Sequence, residues 1–500
     1  MLKRCLALLC ALLIVLPCLP AGADEHPNWY EVFVRSYQDS DGDGLGDLNG
    51  LTARLDALHD LGWNGLWLMP VMPSPSYHKY DVTNYMDIDP EYGTLEDMRT
   101  LIAAAHARGF LIILDLPVNH TSTRHPWFEA ACDALRRGEE SPYTDYYHFL
   151  DHPADGYVQL GGTGWYYEER FAGGGMPDLN LDSEAVRAEI TAICDFWLRE
   201  MDADGFRLDA VTSFYTGDSE ANIAFLRWLK ESCEAIRPGS YLVGECWSGL
   251  TTIADYYRSG VDSFFLFPAS QAEGFVASSL RGRSKHAEKF NRGLLNTLEA
   301  IPDGLLAPFL SNHDTGRTIG SVQGRSNRPA AKFAEGLLGL LPGRTFTYYG
   351  EEIGMVGSGD DPNKRLAMYW NDGDMTQQPP GVTNLEYAYP CWDDQMADPD
   401  SLLHYCAAVN AMRSRWPMIP AGTHETLLAE GDLLLMRRTL GEDACLIAVN
   451  FSSSETLELT LPAACRMEEE IETGAETAVL DENGLALSLP PYSIVILTEK

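Results

Sequence analysis

The sequence predicts an α/β fold: a (β/α)8 TIM barrel with a domain inserted after its third strand and an antiparallel β-sandwich domain at its C-terminal end. Three observations carry that prediction. Short apolar runs, each followed by helix-like material, recur along the first four-fifths of the chain. One connection is far too long for a barrel loop. Beyond residue 420 the spacing changes to closely set strands.

The strand candidates are YEVFVRSY (30–37), NGLWLMP (64–70), FLIILDLPV (110–118), GFRLDAV (205–211), YLVGECW (241–247), DSFFLFP (262–268), APFLSNHD (307–314) and TFTYYG (345–350). Between them lie amphipathic segments such as LTARLDALHDLG, LEDMRTLIAAAHARG and ANIAFLRWLKESCEAI. Strand, helix, strand in repetition is the pattern of a parallel barrel. Residues 121–183 are rich in Gly and aromatics (GGTGWYY, FAGGG) and read as the insert. The tail carries LLLMRRTL, ACLIAVNF, ETLELTL, LALSL and SIVIL. The expected division is a leader at 1–23, barrel at 24–120, insert at 121–183, barrel again at 184–418, and the β domain at 419–500.

The leader is expected from Lys3 and Arg4, an apolar run, and a small-residue end at Ala21-Gly22-Ala23, the pattern of a cleaved secretory signal. Lipid attachment at Cys18 is the less favoured alternative, because Pro17 is a poor neighbour for that processing. A soluble, exported monomer is expected, with no membrane span. The formal net charge of −37 repels nucleic acid and anionic lipid, and suits a neutral substrate or plain solubility. Eight cysteines remain beyond the leader, none spaced as a CxxC or zinc motif, and their pairing is left open.

Reactive residues in such barrels project from the C-terminal strand ends. Those ends hold Asp115 and His120, Arg207 and Asp209, Glu245, and His313 with Asp314. Packing favours Val, Ile and Leu there, so charged ends on several strands point to a site rather than a core. Arg207 lies two residues before Asp209 on one strand, so both face one side and the guanidinium favours an ionised Asp209. The stretch DSDGDGLGD (39–47) places an oxygen ligand at every second residue, and Gly44 falls where an EF-hand loop turns. Its twelfth position is Gly50 rather than Glu, and a strand rather than a helix precedes it.

Taken together these motifs resemble the α-amylase family of glycoside hydrolases over nearly the whole chain. DLPVNH (115–120), GFRLDAV (205–211), GECW (244–247) and FLSNHD (309–314) resemble the family's four sequence regions in order, and MPDLN (176–180) its linker motif. The resemblance implies retaining hydrolysis of α-1,4 links in starch-derived glucans or maltooligosaccharides. Asp209 is then the nucleophile, Glu245 the acid and base, and Asp314 the carboxylate that stabilises the transition state. It also implies sugar contacts from His78, Tyr80, Asp81, His120, Arg207 and His313, with Tyr80 as the platform beneath the sugar. A structural Ca2+ would be held by the carboxylates of Asp39, Asp41, Asp43 and Asp47 and the carbonyl of Leu45. An α-glucosidase, an oligo-1,6-glucosidase and a transglycosylase remain alternatives, whereas a non-enzymatic glucan-binding protein is disfavoured because all three carboxylates are present.

The chain departs from the family pattern at several points. Thr212 and Ser213 replace a Lys-His pair often found after the nucleophile, and Asn180 ends the linker motif where Asp is common. A second calcium between barrel and insert is therefore not expected, although Asn119 is retained. Cys246, beside Glu245, is read as pointing away from the sugar. Trp165, Tyr166 and Trp370 are candidate aromatic walls for further sugars.

Overall fold

The structure, a computed structural model, describes residues 26–499 except 172, 283, 463, 472–475 and 482–483. The expected leader lies outside the described residues. The barrel is built from β1 (Trp29–Val32), β2 (Gly65–Leu68) and β3 (Leu111–Leu116). The connection that follows carries a helix, Pro126–Arg137, and three short strands: β4 (Phe149–Leu150), β5 (Tyr157–Gln159) and β6 (Tyr166–Glu168). The barrel resumes with β7 (Gly205–Leu208), β8 (Tyr241–Gly244), β9 (Ser263–Phe264) and β10 (Phe346–Tyr348).

These barrel strands form one parallel sheet in the order β10-β1-β2-β3-β7-β8-β9. Closure falls to the segment expected as the seventh barrel strand. It makes two bridges, Ala307 to Phe265 and Phe309 to Phe346, rather than a full ladder. Pro308 sits between them and has no N–H to donate, while its carbonyl accepts from the Phe346 N–H at 2.9 Å.

The helices are fixed by local chemistry. Asp47 caps the helix Leu48–Asp60 by accepting from the Gly50 N–H. Thr94 and Asp97 form a reciprocal capping box at the start of Leu95–His106.

The barrel interior departs from the usual aliphatic filling. Trp29 stacks between Tyr241 and Phe346, and Trp67 stacks on Phe265, with all five rings nearly or fully buried. This aromatic layer is the floor beneath the charged strand ends. The Arg207 guanidinium lies 5.4 Å from the centre of the Trp67 ring, and His313 meets the same ring edge-on at 5.7 Å.

The C-terminal part has two antiparallel sheets. Its strands are β11 (Thr423–Glu430), β12 (Leu433–Leu440), β13 (Asp443–Asn450), β14 (Leu457–Pro462), β15 (Cys465–Glu470), β16 (Glu476–Asp481), β17 (Gly484–Leu489) and β18 (Ser493–Glu499). One sheet runs β11-β12-β13-β18-β15 and the other β14-β17-β16. Leu446, Val495 and Leu497 from the first share a core with Leu459, Leu487 and Leu489 from the second, which makes a sandwich. Strands β11, β15 and β16 escape a search for apolar runs, because THETLLAE, CRMEEE and ETAVLD are largely polar. Among the described residues no helix is long and apolar enough to cross a membrane.

Candidate active site

A cavity of about 600 Å3 opens at the C-terminal ends of the barrel strands. Asp209, Glu245, Asp314, His78, Tyr80 and His120 line it, so the structure brings these expected residues to one place. The fully buried Arg207 organises its floor. Its Nη1 reaches Asp115 Oδ1 at 2.7 Å and Asp209 Oδ1 at 2.6 Å, and its Nη2 reaches Glu245 Oε2 at 2.8 Å. The two ends of one guanidinium therefore hold the two carboxylates side by side. Ala210, directly after Asp209, has φ 45°, a left-handed conformation uncommon for alanine, and its N–H donates to Glu245 Oε2 at 2.9 Å.

Burial separates the acids chemically. It pushes Glu245 up from 4.5 to about 7; Arg207 opposes the rise, while the charges of Asp209 and Asp314 add to it. Burial likewise raises Asp115 to about 6. Asp314 goes the other way. Burial favours its neutral form, but His313 and then Arg365 outweigh that and hold it well below the usual carboxylate range. Arg365 Nη2 donates to Asp314 Oδ1 at 2.7 Å, and Lys364 Nζ donates to the Asp314 carbonyl at 2.8 Å.

Three expected sugar contacts sit behind the wall instead of on it. Arg207 and His313 have no exposed surface, and Asp81 is 6% exposed with Oδ1 accepting from the hydroxyls of Ser74 and Ser76. His313 lies under Tyr80, their rings stacked 5.6 Å apart, with Nε2 2.7 Å from the Tyr80 hydroxyl and 3.0 Å from Asp314 Oδ2. Arg207 and His313 hold carboxylates of the wall from behind, and Asp81 is engaged by the two serine hydroxyls. Lys79, between His78 and Tyr80, takes φ 65° and sends its ammonium away to Asp89 (2.8 Å) and Glu91 (2.7 Å). That turn presents the two flanking rings to the cavity.

The aromatic candidates also need correction. Trp370 is 1% exposed, with its indole N–H donating to the Tyr37 carbonyl at 2.6 Å and Arg54 lying 3.9 Å over its ring. Neither it nor Trp165 nor Tyr166 lines the cavity. Trp247 does: it is 50% exposed and stacked flat on Phe267 at 5.0 Å. Its sequence signal is its place in GECW, two residues after Glu245. Phe171, Met176, Thr212, Ser213, Lys364 and Arg365 also line the cavity. Cys246 is buried and off the wall, and all eight described cysteines are buried.

The acidic loop forms a separate cluster. Asp39, Asp41 and Asp43 each offer an oxygen within 4.8 Å of the others. Asp39 Oδ1 accepts from the N–H groups of Asp41 and Gly42, and Oδ2 from that of Gly44. Gly44 has φ 94°, and a Cβ there would fall on the Gln377 side chain, so only glycine fits the turn. Asp47 stands outside the cluster, with its carboxylate accepting from Ser40 and capping the helix that follows. The three gathered carboxylates are hard oxygen donors that fit a Ca2+ ion.

The model of the α-amylase catalytic domain matches residues 31–422. Alpha-amylase 3 of Dictyoglomus thermophilum is 37% identical over 94% of this chain and 92% of its own length. A glucan 1,6-alpha-glucosidase of Streptococcus pneumoniae is 31% identical over 91% and 96%. Among solved structures, Eubacterium rectale Amy13B superposes with a TM-score of 0.90 at 39% identity, covering 95% of this chain and 96% of that one. The chain belongs to the α-amylase family of glycoside hydrolases.

Proposed function

We propose that the chain is an exported, retaining α-glucan hydrolase that cleaves α-1,4 links in starch-derived glucans and maltooligosaccharides. One observation carries the reading: a single buried guanidinium holds Asp209 and Glu245 together on the floor of a sugar-sized cavity, while burial raises Glu245 to about 7, so that it keeps its proton in mildly acid solution. Glu245 gives its proton to the glycosidic oxygen as the bond to the anomeric carbon breaks. The Asp209 carboxylate attacks that carbon from the other face, forming a glycosyl ester, and the shortened glucan departs as an alcohol. Glu245, now ionised, takes a proton from water, whose oxygen displaces Asp209 and restores the starting configuration. Asp314, kept ionised by His313 and Arg365, faces the positive charge that builds on the sugar. A transfer reaction differs only in a sugar hydroxyl replacing water.

Asp39, Asp41 and Asp43 would hold a structural Ca2+, since none of them lines the cavity. Export rests on the signal-like residues 1–23. Similarity to the glucan 1,6-alpha-glucosidase supports a second reading, exo action on short oligosaccharides. A product-versus-time profile on maltotetraose and pullulan separates them. Mixed oligosaccharides early in the digest support the first reading, glucose alone supports the second, and no cleavage of either substrate or of isomaltotriose would overturn both.

A further inference from the structure

We propose that Glu31, on β1, is a positioning residue that keeps the His313 ring in its doubly protonated form and so locks the Asp314 carboxylate in place. The proposal rests on the reading of Asp314 given above. Glu31 is 1% exposed, and β10 alone separates its strand from the segment that leads to His313. Its Oε1 lies 2.6 Å from His313 Nδ1 and also 3.4 Å from the His313 backbone N–H.

Counting protons decides the state of the ring. Above about pH 6, where Asp115 is ionised, the one proton of the Tyr80 hydroxyl points to Asp115 Oδ2 at 2.9 Å. The contact of 2.7 Å between that hydroxyl and His313 Nε2 therefore needs a proton on nitrogen. So does the 3.0 Å contact between Nε2 and Asp314 Oδ2, because an ionised carboxylate only accepts. On the far side Nδ1 faces another carboxylate, that of Glu31. A ring with carboxylates at both nitrogens and a spoken-for phenol beside it is satisfied as an imidazolium. Burial opposes the charge, but Asp314 and Glu31 outweigh it and push the ring up to about 10.

The other charged groups around this chain are accounted for. Arg365 donates to the His313 carbonyl at 3.1 Å, and Arg207 sits over Trp67, the ring His313 meets edge-on. Tyr348 lies near Glu31, and Asp115 connects through Tyr80. Both arginines disfavour a cation at His313, so the two carboxylates are what retain it. Gln at position 31 keeps the shape and one acceptor for Nδ1–H but removes one of those charges. The ring then loses its Nε2 proton at lower pH, and a bare nitrogen faces Asp314 Oδ2.

The test is Glu31→Gln assayed on maltoheptaose across the pH range, with kcat compared with that of the unmodified enzyme. The ratio should be near one at about pH 5 and fall below about one tenth by pH 8, as the ring discharges only in the variant. A ratio that stays constant with pH means Glu31 is merely structural and overturns the proposal. A direct measurement does not depend on the Glu31→Gln variant folding. In the enzyme with 13C-labelled histidine, the His313 signal, assigned by its loss in His313→Asn, should show a protonated ring at pH 8, and a neutral ring there would also overturn it. Retained turnover in Asp209→Asn would instead remove the glycosidase reading and leave the NMR result standing.

Discussion

The protonation of Glu245 should set the alkaline side of the enzyme's pH profile. With the carboxyl raised from 4.5 to about 7, chiefly by burial, about nine tenths of the molecules carry the proton at pH 6 and about one tenth at pH 8. At the ordinary value, only about 3% would carry it at pH 6, a loss of roughly thirtyfold in competent enzyme. The expected profile of kcat/KM is therefore level below about pH 6, halved near pH 7, and approaches a tenfold fall per pH unit above that. Initial rates of reducing-end release from maltoheptaose, taken well below KM at constant ionic strength, report this value for the free enzyme. Asp314→Asn removes one of the negative charges that raise Glu245, so whatever activity survives should show the limb at lower pH. An alkaline limb near pH 4.5, or none before pH 9, would refute the assignment of the acid. The same burial has a thermodynamic sign. The folded-state value lies above the unfolded one, so stability contributed by the protonated acid is present below about pH 4.5 and is lost as pH rises through about 7.

Further outcomes follow from the same geometry. Asp209→Asn should lower kcat by about 10^4-fold or more, with circular dichroism unchanged, because the group removed is the proposed nucleophile. Arg207→Met takes away the cation shared by Asp115, Asp209 and Glu245, and should destabilise the fold by about 3–5 kcal/mol, read as a lower calorimetric Tm. If Tm is unchanged, the buried ion cluster does not hold the barrel floor together. Chelation with EDTA should remove about 2–3 kcal/mol of stability for an ion present at about a hundred times its Kd. Asp41→Ala should abolish that response, and a variant that still responds to EDTA would place the ion elsewhere.

Much of the architecture was legible because it is written in local patterns. Apolar runs marked the barrel strands, whereas the helix caps at Asp47 and Thr94 were seen only in the structure. What failed did so for local reasons too. APFLSNHD looked like a strand, yet Pro308 limits it to two bridges. The polar strands β11, β15 and β16 have no apolar run to betray them. Trp370 resembled a loop aromatic until Tyr37, Arg54 and Trp392 closed around it.

By itself the amino-acid order determined which chemistry the chain carries: the three carboxylates, the arginine two residues before one of them, and the acidic loop. Those features depend on residue type and short spacing, which a linear chain displays. Only the tertiary structure decided which groups touch. Glu31 meets His313 across 282 positions of sequence, and Arg365 meets Asp314 across 51. Burial, and with it the split between a raised Glu245 and a lowered Asp314, arises from neighbours that no local window contains.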